Sequence, residues 1–366
     1  MPDFKPLTAR FSLQLESLRG LSAFIVLFSH GYQAFIAPFS TSLYPIVRLL
    51  GQGAVMTFFV LSGYLIGYSI QKNINKYQKF NLHQYVLQRS KRILPPLIFS
   101  IGLMIILYLL APMFFASGSR EILPIQGFMI RTEYAISWQD TLGCLLFLNE
   151  FLSQTVSANA PLWSLSYEVW FYVLAGCLLC LRHIIAIILL ILILAMWGWL
   201  NPQFLVYFAV WLLAFALSFE SVEQNIATTT LTCCMNIFFI LASGIMLFDI
   251  YQFFVIDFQQ RYRAAQFTAF NSCLGIMLSC WLILLKRQQI NCALLNQPTL
   301  ASTANFSYTL YLSHFPILLF ILGIFPAYQY QQFSTSILLL ILSMVICSVF
   351  AYIFSQFLEP QRQHLS

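Results

Sequence analysis

Charged residues are scarce in this chain of 366 residues: lysine and arginine together number 18, aspartate and glutamate 12, and the charged fraction is 8%. Soluble globular domains are about one quarter charged, whereas this sequence is 60% hydrophobic, which excludes a soluble domain. The net charge of +6 is spread over short segments between long apolar runs, as in membrane proteins. The composition therefore indicates an integral membrane protein and argues against a nucleic-acid partner.

The sequence also lacks the residue clusters of a metal site or a disulfide framework. Eight of its nine cysteines lie inside apolar runs, where cysteine behaves as a small hydrophobic residue. Cys177 and Cys180 have the CxxC spacing of a metal or redox site, but no histidine, aspartate or second CxxC pair accompanies them. We therefore predict no metal site and no permanently bound cofactor.

Cleavable signal sequences, internal repeats and low-complexity tracts are absent as well, since no small-residue cleavage site follows the first apolar run. Residues 1–366 are therefore predicted to form a single membrane domain with no separate soluble domain. Ten apolar runs of about 20 residues predict an all-α polytopic protein with about ten transmembrane helices around a central cavity. The runs lie near residues 18–38, 51–70, 93–115, 160–181, 184–200, 203–219, 229–248, 266–285, 306–325 and 334–357.

The distribution of basic residues predicts the orientation. An even number of spans puts both termini on one side, where 13 of the lysines and arginines fall. The opposite side has Arg48, Arg120, Arg131, Arg261 and Arg263. Cytoplasmic loops are the basic ones, so both termini are predicted to be cytoplasmic. The longest loop, residues 116–159, then faces outward, and its apolar segment 141–148 is too short to span and is predicted to lie in the interface.

Histidine and acidic side chains within the apolar runs are few: His30, Glu168 and His314, with Arg19 at the start of the first run. A charged group in the hydrocarbon costs about 2.5–3.5 kcal/mol on insertion scales, so such groups normally face a cavity and serve a function. His30 follows Arg19 by eleven residues, or three helical turns, so both side chains lie on one face of the first helix about 16 Å apart.

His30 and Glu168 are predicted to lie at similar depths, because they are similar distances along two spans that run in opposite directions. A carboxylate bonded to an imidazole fixes its tautomer and makes it a stronger base, so Glu168 is predicted to orient His30 for acid/base catalysis. The alternative is a polar pair that only holds two helices together. A further alternative is that Glu168 is an interfacial anchor with Ser164 as its local partner.

Arg89 and Arg92 end the most basic loop and enter the third span. At positions i and i+3 they share one helical face, and guanidinium groups bind phosphate oxygens in a bidentate manner. They are predicted to bind a phosphorylated ligand on the cytoplasmic side. The alternative is a positive anchor in contact with anionic membrane lipid.

A polar stripe on the ninth span consists of Ser307, Tyr311 and His314, at positions i, i+4 and i+7. These residues are predicted to line the cavity, with an interhelical hydrogen bond as the alternative for His314. Ser62 and Ser164 are assigned to the same cavity wall. Two glycines next to Ser62, four residues apart at 63 and 67, predict close helix packing.

Taken together and in this order, these stretches resemble the membrane-bound acyltransferase 3 family, the O-acyltransferases of bacterial cell-envelope glycans. The likeness covers residues 15–360. The matching stretches are residues 15–20 with His30, residues 58–65, the Arg89-x-x-Arg92-Ile93-x-Pro95 signature, residues 162–172, residues 307–316 and Glu359-Pro360. Two departures stand out: Pro96-Leu97 replaces the aromatic residue that often follows the proline, and no hydrolase-like domain follows the membrane part.

The resemblance implies that an acyl group, most simply acetyl, is taken from acyl-CoA at the cytoplasmic side of a bacterial inner membrane. It is then delivered to a hydroxyl of a saccharide at the outer face. His30 would be the acid/base group, Arg19 its partner in the cavity, and Arg89 with Arg92 the contacts to the coenzyme phosphates. The alternative function is a transporter or flippase of a glycan or lipid-linked saccharide, which also places charged groups within its spans.

Overall fold

The computed structural model describes residues 5–122, 130–255, 264–325 and 332–359, and this part of the chain contains thirteen α-helices. A 3₁₀ turn, Ser157–Leu162, leads into α5. The helices are α1 Ala9–Phe35, α2 Tyr44–Tyr77, α3 Leu82–Phe114, α4 Trp138–Leu145, α5 Trp163–Leu179, α6 Ile184–Leu200, α7 Pro202–Leu217, α8 Glu220–Glu223, α9 Thr228–Val255, α10 Ala264–Lys286, α11 Pro298–Ser302, α12 Ser307–Ile324 and α13 Phe333–Leu358.

Eight helical segments in the described ranges are long and apolar enough to cross a membrane, and the apolar helices α6 and α7 are shorter. These ten elements correspond one to one with the ten predicted spans, so the prediction of an all-α polytopic membrane protein is confirmed. Arg261, Arg263, Pro360 and part of the 116–159 loop lie outside the described residues.

Several helices run well beyond their apolar segments. α1 begins at Ala9, where Thr8 caps it by accepting a hydrogen bond from the backbone N–H of Phe11, and α2 continues to Tyr77. Apolar runs mark only the length that contacts hydrocarbon, whereas the helical backbone continues into polar surroundings until a cap ends it. This is why the predicted starts of α1, α2 and α3 fall several residues inside the observed ones.

α1 lies at the centre of the site described below and packs against α2, α11, α12 and α13. We call the end of the bundle where α1 begins the proximal end and the end where α1 finishes the distal end. Successive long helices alternate in direction, so the described parts of the connection between α3 and α5, residues 115–122 and 130–156, are distal.

The glycines next to Ser62 hold α2 against α7. A Cβ atom on Gly63 would lie 2.4 Å from the carbonyl oxygen of Trp211, and one on Gly67 would lie 2.0 Å from Oγ of Ser218. Such distances are possible only for glycine, so the two backbones approach closely, as small residues allow in membrane helices.

The distal connection is anchored on the start of α5 by Asn149, which is fully buried. Its amide donates to Thr155 Oγ1 and to the carbonyl of Leu162, both at 3.2 Å, and its amide oxygen accepts a hydrogen bond from Ser166. The short helix α4 overlaps the predicted interfacial segment. This anchoring fixes the distal loop beside the residues that begin α5.

Candidate active site

Arg19 is buried in α1, with 7% of its surface exposed, and points toward the residues that lead into α12. Its Nη2 donates to the carbonyl of Ala304 at 2.7 Å, whereas its Nε has no partner among the described residues. Buried polar atoms normally have hydrogen-bond partners. The unused Nε–H is therefore a donor available to a bound ligand.

A cavity of about 50 Å³ lies beside Arg19, and we call it the inner cavity. It combines two guanidinium groups, one carboxylate and several hydroxyls in an otherwise apolar wall. Its polar lining residues are Arg19, Ser62, Arg92, Ser164, Glu168, Ser307, Tyr308 and Tyr311. All but Tyr308 were assigned to the site from the sequence.

Arg92 faces the inner cavity and makes no hydrogen bond within the described ranges. The groups whose charge or hydroxyl acts most strongly on its guanidinium are those of Tyr172, Glu168 and Tyr308. A guanidinium without a fixed partner, held beside a carboxylate, keeps its charge and most of its donors for a ligand.

Arg89 faces a different cavity from Arg92. Its Nη2 donates to Ser69 Oγ at 2.8 Å, and its guanidinium lies 5.8 Å from the ring centre of Tyr85. It lines an apolar cleft of about 600 Å³ between α3, α5 and α6, which we call the lateral cleft. Arg89 and Arg92, which were predicted to bind one ligand together, therefore line different cavities. Tyr172 lies at the boundary, because it lines the lateral cleft and hydrogen-bonds to two residues of the inner cavity.

Glu168 is the end point of a directed chain of hydrogen bonds. Trp211 Nε1 donates to Ser62 Oγ at 3.2 Å, and Ser62 donates to the Tyr172 hydroxyl, also at 3.2 Å. The Tyr172 hydroxyl then donates to the Glu168 carboxylate, one helical turn away on α5. The chain therefore ends at a carboxyl group that lines the inner cavity together with Arg92.

Ser164 and Tyr311 join α5 to α12 at the distal edge of the inner cavity. Their hydroxyl oxygens are 2.6 Å apart, and both hydroxyls lie within hydrogen-bond distance of the Pro161 carbonyl. The Tyr311 ring lies 6.0 Å from the ring of His314, measured between centroids. Tyr311 therefore connects the inner cavity to the two histidines.

His30 and His314 face each other across α1 and α12, with ring centroids 5.4 Å apart. His314 is fully buried, and its Nδ1 lies 3.1 Å from the Leu310 carbonyl oxygen and 2.9 Å from that of Tyr311. His314 does not line the inner cavity, contrary to its predicted cavity-lining position, because the ring packs against His30 instead. The Gln33 side chain also reaches the His30 ring.

The predicted contact between His30 and Glu168 is not formed. The Ser164–Tyr311 contact marks one level of the bundle; Glu168 lies four residues proximal to it along α5, and His314 lies three residues distal to it along α12. At 1.5 Å per residue, Glu168 and His314 are therefore about 10 Å apart along the bundle axis, and His30 lies at the level of His314. The sequence prediction placed His30 and Glu168 at one depth by counting residues along each span. It was wrong because the ends of the helices were not known.

A second, polar cavity of about 820 Å³ opens at the distal end, and we call it the distal cavity. Arg131 lines it and lies near His30, with its guanidinium 5.7 Å from the ring centre of Phe315. Its other lining residues include Ser137, Gln139, Asp140, Glu150, Gln154, Thr155 and Trp163. Arg131 is thus the residue that connects the distal cavity to the histidine pair.

Glu359 follows α13 and caps the neighbouring helix α12. Its Oε1 accepts from the backbone N–H of Thr309 at 2.9 Å and from the Thr309 hydroxyl at 2.8 Å. Burial raises the pKa of this carboxyl to about 7, against the two bonds from Thr309 and the charge of Arg92, which lower it. Glu359 therefore holds the start of α12, and with it the polar stripe, next to Arg92.

Sequence reasoning did not single out Gln33, Tyr172 or Arg131 as site residues in their own right. Gln33 follows His30 by one turn and Tyr172 follows Glu168 by one turn, so helical spacing was a signal for both. Arg131 lies in an irregular loop, where no periodicity predicts a direction. In the ranges that the structure describes, no group of three or more histidine, cysteine, aspartate or glutamate side chains could hold a metal ion.

Comparison with known proteins gives one result. A protein family model described as an acyltransferase domain, Acyl_transf_3, matches residues 12–354. No curated protein and no solved structure matches the chain. The matched residues include those that line the inner cavity, the lateral cleft and the distal cavity, and both histidines of the pair.

Proposed function

Since this chain belongs to the acyltransferase 3 family, we propose that it is an O-acyltransferase of a bacterial inner membrane. In this proposal it moves an acyl group, most simply acetyl, from cytoplasmic acyl-CoA to a hydroxyl of a cell-envelope saccharide at the outer face. The observation that carries the proposal is the position of His30. The imidazole lies between the proximal side, with its two cavity arginines, and the polar distal cavity.

Arg19 and Arg92 support a donor that enters from the proximal side. Guanidinium groups bind phosphate and carbonyl oxygens through charge-assisted hydrogen bonds. Both arginines line the inner cavity, and Nε–H of Arg19 is a donor that the described residues do not use. The small volume of the inner cavity suits the thioester end of acyl-CoA, and the nucleotide would remain outside. The bias of 13 basic residues against five supports a cytoplasmic proximal side.

His30 is proposed to act as the general base of the transfer. Its imidazole takes the proton of the acceptor hydroxyl as that oxygen attacks the thioester carbonyl carbon. The carbon–sulfur bond then breaks, and the coenzyme thiolate leaves and takes up the proton from the imidazolium. The products are an ester and free CoA. The transfer of the acyl group and the proton requires no metal ion, oxidant or reductant.

The distal cavity suits a saccharide acceptor. Asp140 and Glu150 provide carboxylate oxygens that accept bonds from sugar hydroxyls, and Trp163 provides an aromatic surface for a sugar ring. The backbone N–H of Gln154 donates to one oxygen of Asp140, and the Thr155 hydroxyl donates to one oxygen of Glu150. The second oxygen of each carboxylate is left for a ligand.

The proposal is tested by incubating the purified protein with radiolabelled acetyl-CoA and envelope glycan. We expect free CoA to appear together with labelled glycan, and mass spectrometry of the glycan to show one added acyl group per modified sugar. A glycan that crosses the membrane of a vesicle without release of CoA would identify a transporter or flippase instead.

A further inference from the structure

We propose that His314, rather than Glu168, orients His30, by accepting a hydrogen bond at Nε2 from Nδ1–H of the His30 ring. This inference rests on the proposed function. It concerns one nitrogen atom of each ring, on α1 and α12, where the ring centroids are 5.4 Å apart.

The first step fixes the tautomer of His314. Its Nδ1 lies within hydrogen-bond distance of two backbone carbonyl oxygens, those of Leu310 and Tyr311. Carbonyl oxygens only accept hydrogen bonds, so Nδ1 must carry the hydrogen. In a neutral imidazole the other nitrogen, Nε2, is then an acceptor with a free lone pair.

The second step concerns the two nitrogens that lack partners. Nε2 of His314 and Nδ1 of His30 are both buried and have no hydrogen-bond partner in the part of the chain that the structure describes. Two such orphaned atoms on neighbouring rings are rare, because an unpaired buried polar group is costly. One bond from His30 Nδ1–H to His314 Nε2 would satisfy both atoms.

The third step is the chemical consequence. With its hydrogen held on Nδ1, His30 presents the lone pair of Nε2 to the acceptor hydroxyl, which is the form that a general base requires. Gln33 reaches the same ring, and Arg131 lies near it at the mouth of the distal cavity. His314 is therefore a positioning residue that acts through His30, whereas Glu168 lines the inner cavity beside Arg92.

The test compares His314→Gln with His314→Asn. A glutamine amide reaches the place of Nε2 and retains an acceptor there, whereas an asparagine amide occupies the place of Nδ1 and retains only the bond to the α12 carbonyls. We expect His314→Gln to keep most of kcat, and His314→Asn to lose about 100-fold in kcat with the KM for acyl-CoA unchanged. A purely structural role for His314 predicts the reverse order, which would overturn the inference, as would full activity of both variants.

A second measurement covers the case in which both variants bind acyl-CoA but neither transfers. His314→Ala, which leaves a ring-sized space, is then assayed with added 1-methylimidazole, a molecule that has an acceptor nitrogen but no N–H. Restored transfer supports the inference, and no restoration contradicts it. The wild-type protein in the same assay tests the proposed function separately, because a wild type that consumes no acyl-CoA disproves that function whatever the variants do.

Discussion

Replacement of His30 by alanine is expected to lower kcat for acyl transfer by about 100- to 10,000-fold, the range in which positioned general bases contribute. The KM for acyl-CoA should change little, because Arg19 and Arg92 are on the other side of Tyr311 from the imidazole. The measurement is the rate of label transfer from acetyl-CoA to glycan by the purified variant, together with its affinity for acyl-CoA.

His83→Ala is the matched control for this prediction. His83 is exposed at the start of α3 and lies outside both cavities, so its replacement should leave kcat and KM unchanged. If His30→Ala binds acyl-CoA normally and still transfers at more than a tenth of the wild-type rate, His30 is not the base.

Replacement of Arg92 by alanine is expected to raise the Kd for acyl-CoA by roughly 10- to 100-fold. Hydrogen bonds to charged groups contribute about 1.5–3 kcal/mol, and the Arg92 guanidinium has no fixed partner in the described structure that would already use its donors. The effect should fall mainly on acyl-CoA binding, measured by titration calorimetry on the detergent-solubilised protein.

Two further variants complete the arginine experiment. Lys91→Ala removes an exposed positive charge next to Arg92 and controls for the general effect of a basic surface; it should leave affinity unchanged. Arg89→Ala should have a smaller effect than Arg92→Ala, because Arg89 lines the lateral cleft and Arg92 lines the inner cavity. Equal affinity of Arg92→Ala and wild type would remove Arg92 from the donor site.

The helical architecture could be predicted from the sequence because membrane spans leave a strong signal. A run of about 20 apolar residues has few alternatives to a helix in the bilayer, since every backbone polar group must be satisfied internally. The same reasoning placed Arg19 and His30 on one face of α1. Both side chains do face the segment from Ala304 to Phe315.

The partner of His30 could not be predicted in the same way. Depth along a helix follows from counting residues, but which helices are neighbours, and which faces they turn to each other, depends on the packing of segments far apart in sequence. His30 and His314 are 284 positions apart, and the motif that contains His314 gave no hint of its neighbour. The separation of the two arginines could not be predicted either: Arg89 lines the lateral cleft and Arg92 lines the inner cavity, although the two residues share a helical face.

The most direct test of acyl transfer across the membrane uses vesicles with the purified protein in the bilayer, the acceptor glycan sealed inside and acetyl-CoA added only outside. Protein molecules whose proximal end faces outward should release free CoA outside and leave acetylated glycan inside, and vesicles with His30→Ala should do neither. Acetylated glycan that forms only when glycan and acetyl-CoA share one compartment would contradict a route from one cavity to the other.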